Sequence, residues 1–307
     1  MLREEGGSYR HMILSQRLQM VASLVTEGNR LADIGTDHGF VPVYLAETGR
    51  IPSAVAMDVN PGPLNRAREH IREHHLEDRI QTRLSDGLKA LGETETDTIL
   101  IAGMGGALCV RILEQRENLC SQVKELVLQP QSEIASVRRY LERSGWRITQ
   151  EKMVLEEGKY YQMMKCVPGS MQLDDTKARY GPCLMRDKPA EWVGYLHWQR
   201  GIYQKNLQSL EKASGERGVR RHAEILQELK ILHDLLGGIS DRGDRMEETG
   251  YDIEGPETGR KCPDRVCWRR RRAAAAFSGY GCDSRSRGDT DQAGAAGRPD
   301  GAQDPRI

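Results

Sequence analysis

The chain has 307 residues with 45 Lys and Arg against 45 Asp and Glu, a length that suggests two domains and a balance that excludes a global field for nucleic acid. No apolar run approaches the ~20 residues that span a bilayer, and residues 1–9 mix acidic, basic and polar groups, unlike a signal peptide. Seven cysteines at scattered spacings read as reduced thiols of a cytoplasmic protein, and Cys262-x4-Cys267 is half a metal site at best, so neither membrane nor metal is expected.

Residues 1–11 precede a second methionine, Met12, and read as an upstream start or a flexible arm. Leu14, Leu18, Val21, Ala22 and Val25 then recur at helical spacing. From residue 29 the pattern becomes βα repeats. Strands are expected at 30–34, 53–57, 80–84, 98–102 and 125–129, with helices near 41–48, 61–74, 107–114 and 132–144. Two further strand-like runs, 147–155 and 160–167, are separated by four residues. So short a connection demands an antiparallel hairpin, because a parallel crossover needs a dozen or more residues. Residues 168–186, with Gly169, Gly181 and Pro182, read as a linker.

Two long helices follow. Trp192, Leu196, Tyr203, Leu207 and Leu210 fall on one stripe, and Ile225, Leu229, Leu232 and Leu236 on another, which reads as an antiparallel helical hairpin. After Leu236 the chain holds no Leu, one Lys and many Arg, Gly and Asp. Such a segment cannot bury a core, and disorder is expected over 237–307. A shifted reading frame at the end of the gene would give this composition; so would a basic tail that binds RNA electrostatically.

Residues 31–39, Leu-Ala-Asp-Ile-Gly-Thr-Asp-His-Gly, read as a buried strand, a tight turn and the start of a helix. In open α/β sheets a nucleotide-like ligand sits beyond the carboxyl end of such a strand. Gly35 and Gly39 let the backbone approach it. Asp58 ends the second strand, about twenty residues on, where a carboxylate accepts ribose hydroxyls. Asp86 follows the third strand and is placed for an exocyclic amine of adenine, with Gly87 beside it. A dinucleotide fold would show G-x-G-x-x-G with a pyrophosphate on the helix N-terminus. Here the spacing is Gly35-x-x-x-Gly39 with Asp33 and Asp37 flanking the turn. Acids suit an α-ammonium and a sulfonium rather than a pyrophosphate, so the cofactor implied is S-adenosylmethionine.

Residues 31–39, Met57-Asp58-Val59-Asn60, Ser85-Asp86-Gly87 and Ile101-Ala102-Gly103-Met104-Gly105-Gly106 occur in this order, preceded by Leu14-Ser15-Gln16-Arg17-Leu18. With the helical hairpin, this set resembles the bacterial tRNA (adenine-N1)-methyltransferase family called TrmK, over roughly residues 12–236. The resemblance implies a Rossmann-like class I methyltransferase fold in the α/β class. Its sheet would have seven mostly parallel strands closed by an antiparallel hairpin, and a C-terminal antiparallel helical hairpin would follow. The implied division is a methyltransferase domain over 1–167, a linker over 168–186, a coiled-coil-like hairpin over 187–236 and a tail over 237–307. The implied reaction is methyl transfer to N1 of adenine 22 in the D-arm of tRNA. Asp33, Gly35, Thr36, Asp37, Gly39, Asp58, Val59, Asp86, Gly87 and Gly103 would hold the cofactor, and Asp37, Gly103 and Met104 would act in catalysis. Attack by N1 leaves a cationic adenine until a proton leaves N6, and a carboxylate at the base edge, Asp37, can accept it. Orientation supplies most of the rest, on the order of 7–11 kcal/mol.

Because N1 lies on the pairing edge, the base must leave its stack, and basic residues should grip phosphates. Arg17, Arg66, Arg138, Arg217 and Arg220 are the candidates. Two other functions stay open from the residues alone: methyl transfer to a small molecule or protein, and a non-catalytic RNA-binding module with a vestigial cofactor pocket.

Overall fold

The computed structural model describes residues 12–210 and 216–240; the expected arm at 1–11 and tail beyond 240 lie outside the described residues. The chain opens with α1 (Gln16–Ala22), whose first turn is capped by the Ser15 hydroxyl accepting from Leu18 N. There follow β1 (Leu31–Ile34), α2 (Phe40–Glu47), β2 (Ala54–Asp58), α3 (Pro61–Glu73) and β3 (Ile80–Leu84). Next come β4 (Thr98–Met104), α4 (Gly106–Glu114), α5 (Glu117–Cys120), β5 (Glu125–Pro130) and α6 (Ile134–Arg143). The hairpin is β6 (Trp146–Glu156) and β7 (Lys159–Pro168).

These seven strands form one sheet in the order β3-β2-β1-β4-β5-β7-β6. β1 to β5 are parallel, and β7 runs antiparallel to both β5 and β6. The central strands are apolar along their length because helices cover both faces. Alternate residues divide between two cores. Ala32, Ile34, Ile99 and Ile101 pack against α4 and α6. Leu31, Ala54, Ala56 and Leu100 pack against α1, α2 and α3. The order reverses between β1 and β4, which creates the crevice where ligands bind in this architecture.

Residues 168–186 differ from the expected linker. They carry α7 (Asp175–Tyr180) and α8 (Pro182–Asp187), with Asp174 capping the first through Lys177 N. Gly181, at φ +89°, and Pro182 separate the two helices rather than mark a flexible connection. Arg138 of α6 is the reason the segment is held. Its guanidinium is fully buried, donates to Glu151 (2.8 Å) and Gln162 (2.8 Å), and also reaches the carbonyls of Ala178 and Arg179. Glu151 in turn accepts from Cys183 N at the start of α8.

The long helices are α9 (Ala190–Leu210) and α10 (Glu216–Ser240). Trp192, Leu196 and Leu232 are buried with Met153 of β6, so the expected stripes do meet and also anchor the pair to the sheet edge. The Trp192 indole N–H donates to Tyr180 O at 2.9 Å. Truncating so large a buried ring costs roughly 3–5 kcal/mol.

Candidate active site

Gly35 follows β1 at φ +73°. Its N–H and that of Thr36 both donate to Met57 O at 2.8 Å, which pins the turn to the end of β2 and brings Asp58 toward Asp33. A Cβ at Gly35 would collide with the Met104 side chain, so β4 folds its methionine over the β1 turn. His38 and Gly39 complete the turn at positive φ, and Gly39 opens α2 close to Ala67 of α3. Only a residue without a Cβ fits the first of these positions unstrained.

Asp33 is buried at this junction. Burial pushes its carboxyl up to about 6; the neighbouring Thr36 hydroxyl pulls it down, and the charge of Asp58 adds to the rise. Among the described residues no cation pairs with it. The Thr36 hydroxyl is itself buried without a well-formed hydrogen bond. Such groups in a native fold call for an explanation, and a ligand is one.

Asp37 stands outward, its side chain 71% exposed. It accepts from Arg66 Nη2 at 3.0 Å, with His38 Nε2 at 3.5 Å. Burial holds His38 below its ordinary value, against the pull of Asp37. The His38 ring stacks on Phe40 at 5.0 Å. Arg66 Nε is buried and unpartnered.

The next strand ends extend the same edge. Asp58 Oδ1 accepts from Asn60 N (2.7 Å), and Val59 between them is exposed. Asp86 receives Lys89 Nζ at 2.6 Å, and that bond holds its carboxyl below the ordinary range. Gly87, at φ +63°, lies against Gln115 and Ile112.

At the end of β4 the register slips. Ala102 pairs with Gln129 and Met104 with Pro130, leaving Gly103 as a bulge at φ +79°. Its N–H donates to the Gln129 side-chain oxygen (3.1 Å), and Arg17 Nη1 donates to the same atom (2.9 Å). Gln129 is fully buried and is absent from the residues picked out by the sequence. Its one signal there is a glutamine inside an otherwise apolar run.

The expected phosphate contacts fare unequally. Arg17 lies over the Tyr161 ring (5.3 Å) and beside Glu156 (3.8 Å) as well as on Gln129, which sets it to support the glycine loop from within. Arg138 is the buried hub described above and cannot face RNA. Its burial overturns the expectation that it grips phosphate. Arg66 is held by Asp37; Arg220 is exposed and pairs with Glu224 at 3.4 Å. The Arg217 side chain lies outside the described residues.

Gly35, Thr36, Asp33, Asp58, Gly103 and Met104 are therefore brought together, with Asp37, Val59, Asp86 and Gly87 along the rim. A cavity of about 460 Å³ between α7, α9 and α10 mixes Asp175, Glu224 and Glu228 with Arg179 and Arg221; the strand ends, where unanswered groups converge, are the stronger candidate. Among the described residues no group of His, Cys, Asp and Glu is placed to hold a metal ion. The described cysteines are free and buried. No described helix is long and apolar enough to cross a membrane. A buried acid, a glycine turn and two further acids at strand ends fit a ligand that carries a cation and a ribose.

A methyltransferase-domain family profile matches residues 14–164. The tRNA (adenine(22)-N(1))-methyltransferase of Bacillus subtilis is 30% identical over 236 residues, 72% of this chain and 97% of that one. A Streptococcus pneumoniae protein assigned as a tRNA (m1A22) methyltransferase, solved in complex with S-adenosyl-L-methionine, is 34% identical. It matches with TM-score 0.64 over 73% of this chain and 100% of that chain. The crystal structure of the B. subtilis m1A22 tRNA methyltransferase TrmK gives a TM-score of 0.66 at 27% identity, over 73% and 99% of the two chains.

Proposed function

Because the chain belongs to the tRNA (adenine(22)-N1)-methyltransferase family, we propose that it methylates N1 of adenine 22 in tRNA, with S-adenosylmethionine as donor. The observation that carries this reading to these residues is Asp33, a buried carboxyl at the switch point of the sheet with no cation paired to it among the described residues. Bound there, S-adenosylmethionine supplies an electrophilic methyl on a sulfonium. Asp33 and the Thr36 hydroxyl receive its ammonium end, and the Gly35–Gly39 turn gives it room. Asp58 accepts the ribose hydroxyls with its carboxylate fixed by Asn60 N. Val59 and the Asp86–Gly87 turn take the adenine, apolar face and amine edge respectively.

The target base enters over Gly103 and Met104. Gln129, by holding the Gly103 N–H, fixes the bulge and so the direction in which the loop presents its backbone. Asp37 is exposed at the mouth of the site and acts as acceptor for the N6 proton once N1 carries the methyl. Its pairing with Arg66 keeps it oriented. Arg66, Arg217 and Arg220 contact phosphates. Residues 12–167 act as the catalytic unit and 187–236 as an RNA-gripping unit, in a cytoplasmic enzyme that needs no metal.

The test is incubation of the full chain with an unmodified tRNA transcript and S-adenosylmethionine, followed by nuclease digestion and mass spectrometry. One methyl on the fragment bearing adenine 22 is expected, and none on a transcript with guanine at that position. Methyl at another nucleotide, or only on protein or small molecules, would overturn the proposal.

A further inference from the structure

The sheet edge that carries the candidate site also carries an aromatic surface that the transfer chemistry leaves without a task. β7 pairs antiparallel with β5, Leu126 opposite Cys166 and Leu128 opposite Met164. The β6–β7 turn at residues 157–158 therefore lies beyond the carboxyl end of β5, the end that holds Gln129. Leu155 and Tyr160 are cross-strand partners next to this turn and so share one face of the hairpin. Leu155 is 39% exposed. Two rings from α9 join them: Tyr160 meets Tyr195 edge-on at 5.5 Å and Trp198 at 5.9 Å. Trp198 is 49% exposed.

The helix around this tryptophan is built to leave it open. Gly201 stands one turn on, and a Cβ there would meet nothing within 4 Å. Glycine weakens a helix interior, and no neighbour requires it at this position. Lys205, a further turn along the same stripe, is exposed. Lys159, at the hairpin turn, faces the other way: its ammonium lies 5.0 Å from the Tyr161 ring, on the opposite face of β7 from Tyr160. Between Val193 and Leu210 the chain holds Arg200, Lys205 and His197 and no Asp or Glu. α10 differs: Arg220 and Arg221 are both paired with Glu224.

An exposed indole among amides and cations, with no carboxylate on its helix segment, matches the chemistry of an unstacked RNA base and its phosphates. We propose that Leu155, Tyr160 and Trp198 form a stacking platform for an unpaired base of the RNA substrate, with Lys205 toward an adjoining phosphate. The inference rests on the tRNA-methyltransferase reading and adds base stacking by α9 and the hairpin turn to the phosphate contacts of the arginines. Reaching N1 of a target base requires opening its surroundings, and a nearby ring that accepts a displaced neighbour lowers that cost.

The experiment measures tRNA affinity and steady-state transfer with the full chain and three variants. Trp198→Ala is expected to raise KM and Kd for tRNA about tenfold, with kcat and S-adenosylmethionine affinity unchanged, and Trp198→Phe to recover most of the loss. Gly201→Leu strengthens the helix while filling the space beside the ring, so the same rise in KM from a more stable protein supports the platform. Unchanged tRNA affinity in Trp198→Ala and Gly201→Leu would overturn it, as would a loss of cofactor affinity in parallel, or a change only in the self-association of the protein. Binding is read apart from transfer. A wild-type chain that binds tRNA in a Trp198-dependent way without methylating it keeps the platform and refutes the activity.

Discussion

The two ends of the central strands share the same two apolar cores and differ in how their buried polar groups are answered. At the amino end, Glu125 Oε1 accepts from Thr26 N and Thr98 Oγ1, both at 2.8 Å, and Oε2 lies 2.9 Å from Lys165 Nζ. Burial pushes this carboxyl up, but the bonds from Thr26, Lys165 and Thr98 outweigh it and leave it below its ordinary value. At the carboxyl end, Asp33 is buried too and ends at about 6. Nearby, Arg66 Nε has no partner and Thr36 Oγ1 has no well-formed hydrogen bond. The same burial thus gives opposite shifts, decided by whether the protein supplies the donors. Where it does, the end is structural. Where it does not, a ligand completes the set, and that end is where local rules yield to function.

The largest expected contrast comes from exchanging the two acids in separate variants. Asp33→Asn should lower S-adenosylmethionine affinity about a hundredfold, through loss of a charged hydrogen bond, while raising stability without ligand. An acid whose folded pKa lies above its unfolded value favours folding below the unfolded pKa and loses that contribution as pH rises through the folded one. From 3.8 to about 6, the stability recovered at pH 7.5 by removing the charge is at most roughly 3 kcal/mol. Urea unfolding and calorimetry check the two halves. Glu125→Ala should do the reverse, losing roughly 3 kcal/mol of stability because Lys165 is left uncompensated, with the cofactor affinity of the folded protein intact.

Gln129→Leu sharpens the comparison further. The volume is nearly kept, but Gly103 N–H and Arg17 lose their shared acceptor. A drop of roughly tenfold in kcat/KM for tRNA is expected, on the order of one buried hydrogen bond. Cofactor binding should change little, since the bulge faces the substrate side. The smallest effect belongs to Arg220→Ala, an exposed arginine on a helical ion pair, whose removal should move thermal stability by less than about 0.5 kcal/mol.

How much of this was legible depends on which side chains advertise themselves. Most of the parallel strands are short apolar runs, and Asp33-x-Gly35, Asp58 and Asp86 stand at or just past the ends of the first three, so the succession of strands and these candidate residues could be read from residue types and spacing. Gln129 carries no spacing rule; only the fold shows that its oxygen meets the Gly103 bulge. Arg138 misled because it neighbours Arg139, yet it sits four residues after Ile134 and three before Leu141, on the apolar stripe of its own helix. That position held the signal that it points inward. Residues 168–186 misled through Gly181 and Pro182, which mark a flexible linker and a break between two short helices equally well.

The claim that the unanswered end of the sheet is the methyl-donor site is tested most directly by titrating the full chain with S-adenosylmethionine across pH 5 to 8. Asp33 must be charged to receive the ammonium, so affinity should be flat above about pH 7 and fall toward tenfold per unit below about 6. Asp33→Asn should bind weakly at every pH. Equal affinity at pH 5 and 7.5, or wild-type affinity in Asp33→Asn, would contradict the account.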